Sequence, residues 1–306
     1  MPEHQTQLVF MRDFAPRTGQ CVAVAPGISR ICAGNSGPYT FTGTNSYLLG
    51  SAQVGLVDPG PNDPNHLKAL LNAIGNRKLT AIILTHTHKD HSALAPELAR
   101  ATGAPIWFAG PHRLSRPKSW WEANPLAGSC DWGLIPDRIL HDGERLSFGE
   151  TCAEIVTTPG HCANHICLGI VGQPYLLSGD HIMGWNSTLV ATPDGSMGDY
   201  FHSLDRVIAS PWTHFLPAHG GPIAAGEDYA RALKTHRLER DTQIVQILSE
   251  GPASIAKIGK KLYPDLKKRL LFAAHLTIRA HLERLADAGY IDFFIGLSGR
   301  KARLKP

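Results

Sequence analysis

The chain runs to 306 residues, 43% of them hydrophobic and 18% charged, with a formal net charge of +4. That length and apolar content suffice for one large core, or for a large and a small domain, and leave little room for disorder. No apolar run approaches the ~18 residues of a membrane span, and the opening MPEHQTQLVFMRDFAPRTGQ lacks the apolar stretch of a secretory signal, so a cytoplasmic protein without membrane contact is expected. Cys21, Cys32, Cys130, Cys152, Cys162 and Cys167 form no CxxC pair and no dense framework, which predicts reduced, mostly buried thiols.

In chain order, β-forming runs closed by turn residues come first: TNSYLLG (44 to 50) and QVGLVDPG (53 to 60). A helix-compatible piece, 65 to 75, leads to the apolar run LTAIILT (79 to 85) and then to HTHKDH. A second helical piece spans 92 to 103, followed by APIWFAG (104 to 110) and a Pro-rich stretch, 111 to 136, that contains Trp120 and Trp121. AEIVTTPG (153 to 160), HICLGIVG (165 to 172) and PYLLSGD (174 to 180) continue the β-like rhythm. Strands mixed with helices predict an α/β layered domain.

The rhythm changes near residue 226. Long helical patterns cover 227 to 251, 255 to 263 and 266 to 289, and two short β-like runs joined at Ser298-Gly299 close the chain, a winged-helix outline. Residues 226 to 306 hold 16 Lys and Arg against 9 Asp and Glu, so a basic tail follows a mildly acidic body. Lys260, Lys261, Lys267, Lys268 and Arg269 can serve a phosphate backbone, or form a solvated helix face with Leu262, Leu266, Leu270 and Leu271 inward. Phe293-Phe294 reads more readily as strand core than as a platform for bases.

His86, His88, Asp90 and His91 crowd six positions at the end of an apolar strand. Polar groups withdrawn from water need partners, and imidazole nitrogen with carboxylate oxygen suits zinc and, less selectively, manganese, iron or cobalt. One tetrahedral ion cannot use all four comfortably; two ions sharing the loop can. Further donors are then expected at other strand ends beside small residues, where His161 (TTPGHCANH), Asp180 (YLLSGDHIMG) and His219 (FLPAHGGP) stand. Each alone reads as a turn residue, but together with the dense cluster they read as ligands.

HTHKDH matches the HxHxDH signature of the metallo-beta-lactamase superfamily, and GTNSYLL, LVDPG, TPGH, SGD and PAHG resemble its other markers in their usual order. The resemblance covers residues 24 to 225, and the tail with HRLERDTQIVQIL resembles the beta-lactamase-like protein 2 branch and its bacterial relatives. It implies an α/β fold, the metallo-beta-lactamase αββα sandwich, with a hydrolase domain over 1 to 225 and a C-terminal winged-helix domain over 226 to 306. It further implies that His86, His88 and His161 hold one divalent ion, that Asp90, His91 and His219 hold a second, and that Asp180 bridges both. Zinc is the expected metal, manganese or iron the alternatives. Asp58 would orient ligands from behind, and His165 and His181 would support the site without ligating.

A water bridging two cations is available as hydroxide near neutral pH, so hydrolysis is the implied reaction, with Asp90 as a catalytic proton carrier. Tyr200, in SMGDYFHSL, falls where some relatives place a substrate-facing residue; ordinary packing is the alternative reading for it. Class B beta-lactamases carry a cysteine where this chain has Asp180, and flavodiiron proteins a glutamate where it has His88, so neither activity is implied. The partners that remain are a small-molecule ester, thioester or lactone, or single-stranded RNA. A mono-iron persulfide dioxygenase and a non-catalytic nucleic-acid-binding regulator are the other readings.

Overall fold

The structure is a computed structural model and describes residues 8–120, 122–296 and 299–305. Its first sheet holds β1 (Cys21–Ala25), β2 (Ile28–Cys32), β3 (Asn45–Leu49), β4 (Gln53–Val57), β5 (Lys78–Ile83), β6 (Ile106–Phe108) and β7 (Arg138–Ile139), neighbours in that order. Pairing is antiparallel as far as β4 and parallel from β4 to β7. Parallel neighbours need crossovers. α1 (Pro64–Ile74) makes the first, and α2 (Lys89–Ser92) with α3 (Ala95–Thr102) makes the second.

The second sheet holds β8 (Arg145–Phe148), β9 (Thr151–Thr157), β10 (Ile166–Ile170), β11 (Tyr175–Gly179) and β12 (His214–Pro217) in the order β12-β11-β10-β9-β8. All its pairs are antiparallel except β11 with β12, which α4 (Met197–Ile208) connects.

Side-chain alternation explains why the sheets stack. Along β3 and β4, Tyr47, Leu49 and Val57 point to one face, where they meet Ile155, Leu168, Leu177 and Leu216 of the second sheet. Leu48, Val54 and Leu56 point to the other face and meet Leu70 and Ile74 of α1 and Leu98 of α3. On the far side of the second sheet, Val156, Cys167 and Leu176 pack against Tyr200, Leu204 and Val207 of α4. The layers are therefore helix, sheet, sheet, helix, as expected for the α/β body. All six cysteines are free, and four of them are buried.

α5 (Gly226–Ser249), α6 (Ile255–Leu262) and α7 (Lys268–Asp287) precede a hairpin of β13 (Ile291–Gly296) and β14 (Gly299–Leu304). These elements have a core of their own, built on Ile244, Leu248, Ile258, Ile278, Leu282, Ile291 and Ala302. The expected boundary after residue 225 falls at the start of α5, and that helix serves both cores: Tyr229, Ala230 and Leu233 pack with α4. Of the aromatic and turn residues singled out in the sequence, Trp121 and Ser298 lie outside the described residues. No helix among the described residues is long and apolar enough to cross a membrane.

Candidate metal centre

The cluster forms because strands that run in one direction end at one edge. Asp58 directly follows β4, His86 to His91 follow β5, His161 follows β9, Asp180 follows β11 and His219 follows β12. β4 and β5 are parallel, and so are β11 and β12, so their carboxyl ends share an edge of the sandwich. His88 caps the amino end of the single turn α2, which turns Asp90 and His91 back over that edge.

His86 Nε2 and His161 Nε2 lie 3.2 and 2.9 Å from His88 Nδ1. Beside this trio, Asp90 Oδ2 is 3.6 Å from His91 Nε2 and 3.3 Å from His219 Nε2. Asp180 lies between the groups: its Oδ2 is 3.6 Å from His91 Nε2 and 3.7 Å from His161 Nε2, and its Oδ1 is 3.4 Å from His219 Nε2. All seven predicted donors are thus brought together. Ligand atoms about 2.0 Å from a tetrahedral ion stand about 3.3 Å apart, close to these separations.

Hydrogen bonds behind the rings fix where the lone pairs point. His91 Nδ1 donates to Asp58 Oδ2 at 3.0 Å, His161 Nδ1 to the Leu189 carbonyl at 2.7 Å and His219 Nδ1 to the Gly43 carbonyl at 3.2 Å. His88 Nε2 donates to Asp194 Oδ2 at 2.8 Å. Thr85 Oγ1 gives its own proton to Asp58 at 2.7 Å and so accepts from His86 Nδ1 at 3.0 Å. With each outer nitrogen used as a donor, every neutral ring turns its remaining nitrogen, and the lone pair on it, inward to face the others. Lone pairs 2.9 to 3.2 Å apart repel unless a cation or a proton lies between them. His91 Nε2, His219 Nε2 and Asp180 Oδ1 are moreover buried without a hydrogen-bond partner. Such atoms cost free energy when left alone, and divalent metal meets the need of all of them.

Electrostatics divide the groups. Burial and the crowding imidazoles hold His86 well below its ordinary value, and burial with His88 lowers His161 to about 4. Burial opposes charge on His91 and His219 too, but Asp90 and Asp180 outweigh it, lifting His91 well above its ordinary value and His219 to about 9. Asp90 and Asp180 resist burial through the same pairs and stay well below the usual carboxylate range. A divalent cation would compete with protons for the same imidazole nitrogens and carboxylate oxygens.

Several supporting residues escape a reading of the sequence alone. Asp194 accepts from both His88 and His112, each at 2.8 Å, while Thr87 Oγ1 donates to His112 Nδ1 at 2.8 Å and receives Asn164 Nδ2 at 2.8 Å. Asp194 sits in TPDGS, where Pro, Asp and Gly read as a turn, so nothing local marks a buried carboxylate. His165 lies behind the site as expected: its Nε2 accepts the Asp180 amide at 3.0 Å and its Nδ1 bonds Thr158 Oγ1 at 2.8 Å. His181 is buried with its ring edge-on to Tyr200, 5.0 Å between centroids.

Of the two readings of Tyr200, packing is the one the structure supports, and the substrate contact is corrected. Its side chain is fully buried in the core beside the second sheet, and its hydroxyl donates to the His181 carbonyl at 2.9 Å. Lys89 reaches outward instead, to the Gly128 carbonyl at 2.9 Å.

Layered sheets that gather five imidazole lone pairs and two carboxylates at one edge define a class, the α/β proteins built to hold divalent metal. The profile of the metallo-beta-lactamase superfamily matches residues 39–219, and the chain belongs to that superfamily, whose members are metal-dependent hydrolases. A beta-lactamase-like protein 2 homolog of Caenorhabditis elegans is 27% identical over 88% of this chain and 87% of its own. An atrochrysone carboxyl ACP thioesterase of Aspergillus chevalieri is 26% identical over 74% of this chain and 68% of its own. Among solved structures, a beta-lactamase domain protein of Burkholderia ambifaria covers 100% of this chain and 99% of its own with a TM-score of 0.79 at 22% identity. A metallo-beta-lactamase family protein of Thermus thermophilus covers 92% and 100% with a TM-score of 0.74 at 25% identity.

Proposed function

We propose that the chain is a dinuclear, zinc-dependent hydrolase of small-molecule thioesters, esters or lactones. The observation that carries this reading is the convergence of five oriented imidazole lone pairs on two carboxylates. His86, His88 and His161 would hold one ion, Asp90, His91 and His219 the other, with Asp180 between them. Two bound cations supply a water acidic enough to act as a nucleophile and a Lewis acid for the scissile carbonyl.

The residues do the rest. Asp58, Asp194 and the Leu189 carbonyl keep the imidazoles in the ligating tautomer. Asp90 has a side chain 30% exposed, more open than its cluster neighbours, so it is placed to take a proton from the attacking water and return it to the leaving group. A thioester needs little more, because a thiolate leaves without strong acid assistance. The relative named as an ACP thioesterase supports that substrate class. The six free thiols suit a cytoplasmic setting.

A second reading, cleavage of single-stranded RNA, draws on the basic tail, where α6, α7 and the hairpin would act as a winged helix. Part of that charge is already engaged: Lys234 pairs with Asp205, Lys261 with Glu250, Arg279 with Glu122 and Glu283, and Arg284 with Asp241. Arg300 and Arg303 cover the rings of Phe293 and Phe294 at 4.4 and 5.3 Å, which blocks those faces to bases. The balance favours the small-molecule substrate. Assay of the zinc-loaded protein on thioesters, esters, lactones and single-stranded RNA decides, with Asp90→Ala beside it. Thioester turnover lost in Asp90→Ala is the expected result; turnover of RNA alone would reverse the choice, and turnover that survives Asp90→Ala would remove the site.

A further inference from the structure

Residues 188–194, between β11 and α4, form an irregular segment that is nonetheless buried: Thr188, Val190, Ala191, Thr192 and Asp194 are each at most 3% exposed. Buried irregular backbone must find partners outside a sheet or helix, and here both the backbone and the side chains of the segment reach residues of the cluster. Thr188 Oγ1 donates to the carbonyls of Asp180 at 2.8 Å and His181 at 3.0 Å. The Leu189 carbonyl receives His161 Nδ1, and Asp194 receives His88 Nε2. One strap therefore orients three of the seven donors.

What holds the strap comes from the C-terminal helices. The Arg237 guanidinium of α5, itself 3% exposed, donates to the Thr188 carbonyl. At the other end, Thr192 Oγ1 donates to Glu283 Oε1 of α7 at 3.0 Å. Glu283 is fixed in turn by Arg116 at 2.8 and 2.9 Å and by Arg279 at 3.0 Å, and Glu122 neutralises both guanidiniums. Ser115, next to Arg116, grips the strap as well, through the Pro193 carbonyl at 2.9 Å and the Gly195 carbonyl at 2.8 Å.

We propose that Glu283 is a positioning residue for metal: through Thr192 and the strap 188–194, whose other end Arg237 holds, α7 keeps His88, His161 and Asp180 in their ligating geometry. The inference rests on the reading of the cluster as a metal centre. It makes the tail a working part of that centre, whatever else the tail contacts. Residues that fix metal-bound imidazoles typically contribute 10- to 100-fold in affinity, and Thr192 stands one link further out, so its removal should cost about 10-fold.

The test uses the full chain stripped of metal, with zinc affinity measured by competition with a chromophoric chelator and the cobalt(II) absorption spectrum recorded after reconstitution. Thr192→Val is nearly isosteric and deletes only the hydroxyl, Glu283→Gln keeps the shape of the anchor without its charge, and Thr192→Ser restores the hydroxyl. Arg231→Ala breaks an exposed pair with Glu227 and serves as the tail control. The proposal expects Thr192→Val and Glu283→Gln to weaken zinc binding about 10-fold and to alter the cobalt spectrum, while Thr192→Ser and Arg231→Ala match the parent. Parental affinity and spectrum in both Thr192→Val and Glu283→Gln would overturn it while leaving the metal centre standing. A parent protein that binds neither zinc nor cobalt would remove the metal reading, and this inference with it.

Discussion

Asp58 sits at φ 52°, in the left-handed region that only a few per cent of non-glycine residues adopt. Its amide donates to the Ile83 carbonyl at 2.8 Å, and its carboxylate receives the Thr85 amide, the Thr85 hydroxyl and His91 Nδ1. The strained conformation persists because Ile83 of β5 and Thr85, two residues past its end, supply all but one of these bonds, and the last one orients a donor of the cluster. Asp58→Ala leaves the His91 ring free to turn and should lower zinc affinity 10- to 100-fold, measured by chelator competition; Asp58→Asn, which tolerates positive φ, should lose less. A second residue predicts acid lability. His66 is buried, its Nε2 is 2.9 Å from Ser46 Oγ, and burial lowers it to about 4. A histidine depressed in the folded state favours unfolding once it can take a proton, so stability should fall as pH drops from 6.5 toward 4. The loss is about 2 to 3 kcal/mol from this residue, and His66→Gln should flatten the fall in Tm over that window. The crowded donors of HTHKDH were legible because adjacent ligating side chains at a strand end have few other uses. Asp194 and His112 were not, because a carboxylate that acts across 106 residues of chain leaves no mark beside itself.

At the scale of elements, the helices beside the first sheet and those of the tail were the most legible, while α4 was not read as a helix at all. Met197, Tyr200, Phe201, Leu204 and Val207 recur at helical spacing, which identifies Tyr200 as part of an inward face. The resemblance to relatives with a substrate-facing residue near this position carries less weight than that spacing. The short strand β7 and the edge order of the first sheet left no signal, since two residues carry no periodicity and parallel pairing is decided by tertiary packing. The turn between β9 and His161 carries the sharpest element-level prediction. Gly160 has φ 142°, and a Cβ there would stand 2.4 Å from Tyr200 Cα. Gly160→Ala must push α4 and the His161 turn apart, so it should destabilise by roughly 2 to 4 kcal/mol and weaken metal binding together, read as a lower Tm and a lower zinc occupancy.

At the scale of the molecule, α5 joins two cores and α7 is tied to the segment that backs the cluster, so metal binding and global stability should be linked. Metal that binds only the folded state adds about 4 kcal/mol at a thousandfold excess over its Kd. Removal by a chelator should therefore lower Tm by roughly 5 to 10 °C, reversibly, as followed by calorimetry. If, as proposed, Asp180 lies between two ions, its loss costs metal as well as rate. Elemental analysis of the reconstituted protein and of Asp180→Ala, each beside a thioester assay, tests it most directly. About two equivalents of zinc per parent chain, fewer in Asp180→Ala, and loss of hydrolysis with the loss of metal are expected. A single equivalent in the parent protein, or undiminished metal and turnover in Asp180→Ala, would contradict it.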